Sequence, residues 1–309
     1  MAAVNPASLL HLPAALVLAP LLGGLAQRTK AWFAGRRGAP LLQPYRDLLK
    51  LARKGAVYSP TTTWVFRAVP VVGVAAASAA LLLLPLGALP APLGFPGDLL
   101  LLAGLLAAGR FASVVGALDT GSSFSGMGAS REVAFAALGE PTLLLALAAL
   151  ARATGSTSLS GMLGALDVGV WLQAGPALVL VALTLFAVLL ADAARIPVDD
   201  PATHLELTMI HEVMVLDHSG PDLAAIQYAG ALRLWILGAL LVGVALPLRS
   251  GNAALDAAVQ LAGLALVGIL IGIVESSMAR LRLVRVPQFL VGAAALAVLA
   301  LMLSAGANR

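Results

Sequence analysis

The chain has 309 residues, 60% of them hydrophobic and only 11% charged, with a formal net charge of +4 and a mean hydropathy of +0.97. Soluble domains carry about 25% charged residues, so this is an integral membrane chain, and its few cations form no nucleic-acid patch. The absence of cysteine excludes disulfides, Cys-ligated iron–sulfur clusters, thiolate zinc sites and cysteine nucleophiles within the chain.

Met1–Ser8 lacks the basic start of a cleavable signal. A membrane-spanning helix needs about 20 largely apolar residues. Eight stretches meet that length: 7–27, 64–86, 97–118, 131–151, 170–194, 223–247, 253–275 and 287–306. Spans must be helices or closed barrels, and barrel strands are about half as long, so the expected fold is all-α. No internal repeat is present. The chain reads as one transmembrane domain over 1–309, a single bundle of eight helices.

Lys and Arg set the expected orientation. Arg28, Lys30, Arg36, Arg37, Arg46, Lys50, Arg53, Lys54, Arg67, Arg131, Arg195, Arg280, Arg282 and Arg285 fall on one side, against Arg152, Arg249 and Arg309 on the other. The first set is expected to face the cytoplasm, with both termini on the outer, periplasmic side of a bacterial or archaeal cytoplasmic membrane. The cytoplasmic connections are then 28–63, 119–131 and 195–222.

In the first connection, Gln43-Pro44 suits a helix start. Tyr45, Leu48, Leu49 and Ala52 follow at helical spacing, with Arg46, Asp47, Lys50, Arg53 and Lys54 opposite. This predicts a short amphipathic helix on the inner membrane surface, against anionic lipid. The preceding Gly35-Arg36-Arg37-Gly38 turn could dock an acidic partner face.

Ionisable groups inside spans cost roughly 2.5–3.5 kcal/mol each and need a reason. Arg110, Arg233, Glu140, Asp192 and Glu275 are such groups. Glu132 and Glu140, eight residues apart, share a face about 12 Å apart along the axis, a spacing that water could bridge in a proton relay. Pro141 removes a backbone donor there and is expected to bend the helix. Structural alternatives stand beside these readings. Glu132 suits a first helical turn, Glu140 could pair with Arg110 or Arg233, Asp192 with Arg195, and Glu275 with Arg280 or Arg282.

Residues 191–222 hold seven of the fifteen acids and three of the four histidines. Asp200-Pro201 signals a helix start and Gly220-Pro221 an end. Between them His204, Thr208 and His211 share a face, flanked by Glu206 and Glu212. Histidine titrates near neutrality, so this helix reads as a proton-input funnel and docking surface, or as a solvated face. The spacing of seven between His204, His211 and His218 does not suit a shared metal.

Four segments in order carry a resemblance: GRRGAPLLQPYRDLLKL (35–51), ALDTGSSFSGMGASREVAFAALGEP (117–141), ADAARIPVDDPATHLELT (191–208) and ESSMARLRLVRVPQFL (275–290). Together they resemble the membrane subunit shared by respiratory complex I, where it is subunit 1, and the membrane-bound [NiFe] hydrogenases. THLEL after Pro201 and the serine-rich SSFSGMGASRE look closer to the hydrogenase branch, the membrane anchors of formate hydrogenlyase and hydrogenase-4. The resemblance implies a non-catalytic subunit that docks a soluble redox arm and couples its electron transfer to ion translocation. It implies partners: hydrogenase large and small subunits with the [NiFe] centre and iron–sulfur clusters, a ferredoxin-like iron–sulfur subunit, and antiporter-like membrane subunits. No cofactor is expected in this chain. The proton path would begin with Glu132 and Asp199 and continue through Asp192, Glu140, Asp200, Glu206, Glu212 and Asp119. The docking side would include Arg36, Arg37, Arg46, Asp47, Arg195, His204, His211, Arg280 and Arg282.

Other readings remain open: a quinone-chamber subunit of complex I, or a lone secondary transporter, against which the missing repeat counts. A membrane hydrolase lacks its motifs, since neither His-Glu-x-x-His nor Gly-x-Ser-x-Gly occurs.

Overall fold

A computed structural model describes residues 6–199, 209–247 and 250–306. The described residues form α-helices and two short 3₁₀ turns, with one isolated bridge between Leu86 and Leu89. Eight helices are long and apolar enough to cross a membrane: α1 (His11–Phe33), α3 (Trp64–Leu81), α4 (Asp98–Asp119), α5 (Ser123–Thr154), α7 (Val168–Asp192), α9 (Gly220–Ala245), α10 (Ala253–Ser277) and α11 (Val286–Gly306). Three shorter helices connect them: α2 (Gln43–Ala52), α6 (Leu159–Ala165) and α8 (His211–Val215). The chain is thus a multi-pass membrane protein.

The long apolar runs become helices because only intrachain hydrogen bonds can satisfy the backbone in hydrocarbon. Several helices run past their expected ends because a length rule counts only the hydrocarbon-crossing part, whereas α3, expected over 64–86, stops at Leu81. α1 runs on to Phe33 through Arg28 and Lys30, and α5 begins at Ser123, so the connection read over 119–131 is mostly helix. α5 is unbroken through Pro141. α6 has no counterpart in the sequence reading. It is held by buried Asp98, which accepts from the Leu159 amide at 2.7 Å and the Ser158 hydroxyl at 3.1 Å.

α9 is the central span. Leu234 to Val244 are buried without interruption, as expected for a helix apolar on every side. α3 packs on α4 and α9, α1 on α10 and α9, and α11 on α5 and α7. Small residues set the closest approach. A Cβ on Gly272 of α10 would lie 2.6 Å from both the Ala26 carbonyl oxygen and Thr29 Cβ of α1. Pro20 inside α1 has no N–H for the Leu16 carbonyl, and the Tyr228 hydroxyl on α9 donates to that oxygen at 2.7 Å.

The first connection leaves α1 through the basic turn, where Gly35 and Gly38 take left-handed φ of 66° and 62°. Arg36 and Arg37 are left exposed. The Tyr45 hydroxyl of α2 donates to the Val17 carbonyl, anchoring α2 to α1.

Candidate functional site

Five ionisable side chains from four helices meet inside the bundle. Arg110 on α4 is the hub. Its Nη1 donates to Glu140 Oε1 at 2.6 Å, its Nη2 donates to Asp192, and its Nε lies 3.1 Å from Glu132 Oε1. Arg233 on α9 donates from Nη2 to Asp192 Oδ1 at 2.6 Å and from Nε to Oδ2 at 3.2 Å. The helical repeat explains the convergence: Glu132 and Glu140 lie on one face of α5, so one guanidinium reaches both. Asp192 ends α7, where a carboxylate is disfavoured by the helix dipole, and two guanidiniums compensate it.

When all five groups are ionised, three carboxylates face two guanidiniums. One acid is in excess. Exposure is graded across the group: the side chain of Asp192 is 4% exposed, Glu132 17% and Glu140 40%.

Two cavities meet at this cluster. One of about 280 Å³ is bounded by α4, α5, α7 and α11, with Arg110, Glu132 and Glu140 on its wall. The other, about 730 Å³, is bounded by α1, α2, α3, α4 and α9, with Arg233 and His218 on its wall. Asp192, Asp199 and His211 line both. Asp192 therefore stands between the cavities with one arginine on each side.

A second set of pairs lies at the ends of α7 and α10. Buried Glu275 pairs with Arg195 at 3.3 Å and with Lys30 at 3.7 Å. Arg280 Nη2 pairs with Asp199 Oδ1 at 2.7 Å, and Asp199 Oδ2 accepts from the Ile210 and His211 amides at the start of α8.

These contacts correct several pairings expected from the sequence. Glu140 does pair with Arg110. Asp192 pairs with Arg110 and Arg233 rather than Arg195. Glu275 is held by Arg195 and Lys30 rather than Arg280 or Arg282. The reason is common to the two corrected cases: the true partners of Asp192 and Glu275 are 41 to 245 positions away in the chain, whereas the expected ones were neighbours in sequence.

The other expected site residues fall in different places. Asp119 accepts from the Thr63 and Phe66 amides at 2.7 and 3.2 Å and caps the start of α3, apart from the cluster. Arg195 and Arg280 are mostly buried in the pairs above, whereas Arg36, Arg37, Arg46, Asp47 and Arg282 are exposed. Asp47 accepts from Gln43 and borders the larger cavity. Glu212 and His211 are half-buried beside it. Asp200, His204 and Glu206 lie outside the described residues.

Sequence spacing did not single out His218, yet it sits at the wall of the larger cavity. Its ring stacks on Phe66 with centroids 3.7 Å apart, and burial pushes its pKa down, with Asp222 and Asp217 opposing. The adjacent Ser219 hydroxyl accepts from the Val57 amide, tying the first connection to the start of α9. In the sequence His218 figured only as the last of three histidines spaced by seven, and Gly220-Pro221, read there as a helix end, instead starts α9.

Residues 6–305 match the family model described as NADH dehydrogenase. The chain is 32% identical over 283 residues to formate hydrogenlyase subunit 4 of Escherichia coli (strain K12), covering 89% of this chain and 91% of that one. It is also 32% identical over 271 residues to hydrogenase-4 component C of the same organism, covering 86% and 84%. Among solved structures it superposes with a TM-score of 0.82, at 22% identity and over 96% of its length and 98% of the other's, on a chain of the membrane-bound sulfane sulfur reductase, an archaeal respiratory membrane complex. That likeness shows the same fold. The family match spans nearly the whole chain, and the chain belongs to the NADH dehydrogenase, complex I subunit 1-like, family of membrane subunits.

Proposed function

We propose that this chain is the membrane-anchor and proton-path subunit of a membrane-bound [NiFe] hydrogenase complex of the formate hydrogenlyase type. The observation that carries the reading is the cluster itself: three carboxylates and two guanidiniums inside the bundle, between two cavities. A structural tie between helices needs no acid beyond those its cations compensate. Here an extra acid is kept at a cost of a few kcal/mol, and such intramembrane groups mark ion pathways.

Protons enter from the basic end, which faces the cytoplasm with both termini outside. They pass Glu212, His211 and Asp199, reach Asp192, and move through the Arg110 cluster to Glu132 and Glu140 on the wall of the smaller cavity. Glu140, the most exposed of the three acids, hands them toward a neighbouring antiporter-like subunit. The amphipathic α2 lies on the inner membrane surface, and Arg36, Arg37, Arg46 and Arg282 face the soluble arm. That arm holds the [NiFe] centre and the iron–sulfur clusters in hydrogenase large and small subunits and a ferredoxin-like subunit. The relatives' names, formate hydrogenlyase subunit 4 and hydrogenase-4 component C, support this branch.

A second reading, the quinone-chamber subunit of a respiratory complex I, rests on the size and largely apolar wall of the 730 Å³ cavity. One experiment separates them. The chain is isolated in mild detergent with its partners, and metals and quinones are measured. Nickel with a hydrogenase-like large subunit is expected. Flavin subunits and bound quinone without nickel would establish the second reading instead.

A further inference from the structure

Arg110 borders only the smaller cavity, Arg233 only the larger, and Asp192 borders both. A particle crossing between the cavities at Asp192 passes a carboxylate flanked by two fixed cations. We propose that Arg110 and Arg233 form a cation filter: the cluster admits protons and rejects metal cations such as sodium. This rests on the reading of the cluster as an ion path and specifies which ion it carries.

Three observations converge. First, three of the four lone pairs on the Asp192 oxygens are engaged. Oδ1 accepts from both arginines, and Oδ2 accepts from Arg233 Nε. A hard cation takes about six oxygen ligands at once, and this carboxylate has a single lone pair left to offer. Second, among the described residues no group of three His, Asp or Glu is arranged to hold a metal ion, although three acids converge on Arg110. They converge on a guanidinium, and the space a cation would occupy holds that cationic group instead. Third, the side chains of Arg110 and Arg233 are only 11% and 12% exposed. Their fixed charges offset two of the three carboxylates at close range, so an entering cation meets the net attraction of one acid rather than three, and an arginine in a pore acts as a barrier to cations.

A proton is not subject to the same exclusion. It needs no coordination shell and travels as a hydrogen-bonded hop. It binds one carboxylate oxygen, neutralising the excess acid, and leaves from another oxygen of the same group. The guanidiniums remain charged throughout because arginine does not release its protons in proteins. Arg110, hydrogen-bonded to Glu140 and Asp192 and ion-paired with Glu132, can keep one or two of its contacts while another acid is protonated.

The test uses native membranes containing the assembled complex. A hydrophobic carbodiimide is applied in sodium or in choline at equal ionic strength, and modification of Glu132, Glu140 and Asp192 is read by peptide mass spectrometry. Wild type is expected to give the same modification in both salts. In Arg233→Gln, which frees Asp192 Oδ2, and in Arg110→Gln, which frees the glutamates, modification is expected to fall several-fold in sodium relative to choline. Arg233→Lys, which keeps the positive charge, is expected to return toward sodium-independence. Sodium protection in wild type overturns the filter. So does sodium-independence in both Gln variants while the chain is still incorporated into the complex. The readout needs neither hydrogen turnover nor coupling, so a filter that fails here leaves the subunit's role in the complex to its own test.

Discussion

Two groups of charge in this chain each set acids against basic side chains, and their arrangements differ. In the Arg195–Glu275–Lys30 group one buried acid faces two cations, and the acid borders neither cavity, although Arg195 lines the larger one. It ties α1, α10 and the end of α7 together. In the Arg110–Arg233 group three acids face two cations, exposure rises stepwise from Asp192 to Glu140, and cavities lie on both sides. The first arrangement is what a membrane protein needs to join helices. The second keeps a titratable group beyond what charge balance requires and gives it space for water. Burial of charge alone does not mark function; the excess acid and the adjoining space do.

The contrast can be broken most sharply at Glu275. Glu275→Gln leaves Arg195 in a buried site without its anion, and breaking a buried pair in this way costs about 3–5 kcal/mol. The expected result is a large loss of correctly assembled chain from the membrane, measured by quantitative immunoblot after mild solubilisation. Normal accumulation would show that the end group is not a structural tie.

The smallest expected effect lies at His218, outside both groups. Burial against Phe66 holds its pKa below the ordinary 6.5. The folded chain therefore binds fewer protons than the unfolded chain as pH falls through 6.5, and its stability declines on acidification. His218→Phe keeps the stacked ring and removes the titration. Thermal unfolding of the solubilised chain above and below that pH is expected to show a shallower acid dependence in the variant. An unchanged dependence would assign it to other groups.

Much of this was legible in the sequence. Composition and apolar lengths suffice for eight spans, and the cost of charge in hydrocarbon singles out Arg110, Glu140, Asp192 and Arg233 without any structure. Gln43-Pro44 marks the start of α2. What spacing could not show was who meets whom. Asp192 lies three residues from Arg195 yet bonds Arg110 and Arg233, 82 and 41 residues away, because the end of α7 turns its last residue into the bundle. Arg195 meanwhile reaches Glu275, 80 residues on. Asp119 looked like part of an acidic path and serves as a helix cap, a role that depends on where α3 begins. Asp98 passed unnoticed because its partners are backbone and hydroxyl groups of a distant connection.

The most direct test of the account is Glu140→Gln in the assembled complex. The substitution preserves shape and leaves two acids for two arginines, so assembly is expected to persist. Hydrogen turnover and ion movement are measured together in sealed vesicles. The account predicts that turnover continues while the ions moved per hydrogen fall sharply. An intact complex with unchanged coupling would contradict the claim that this cluster is the path.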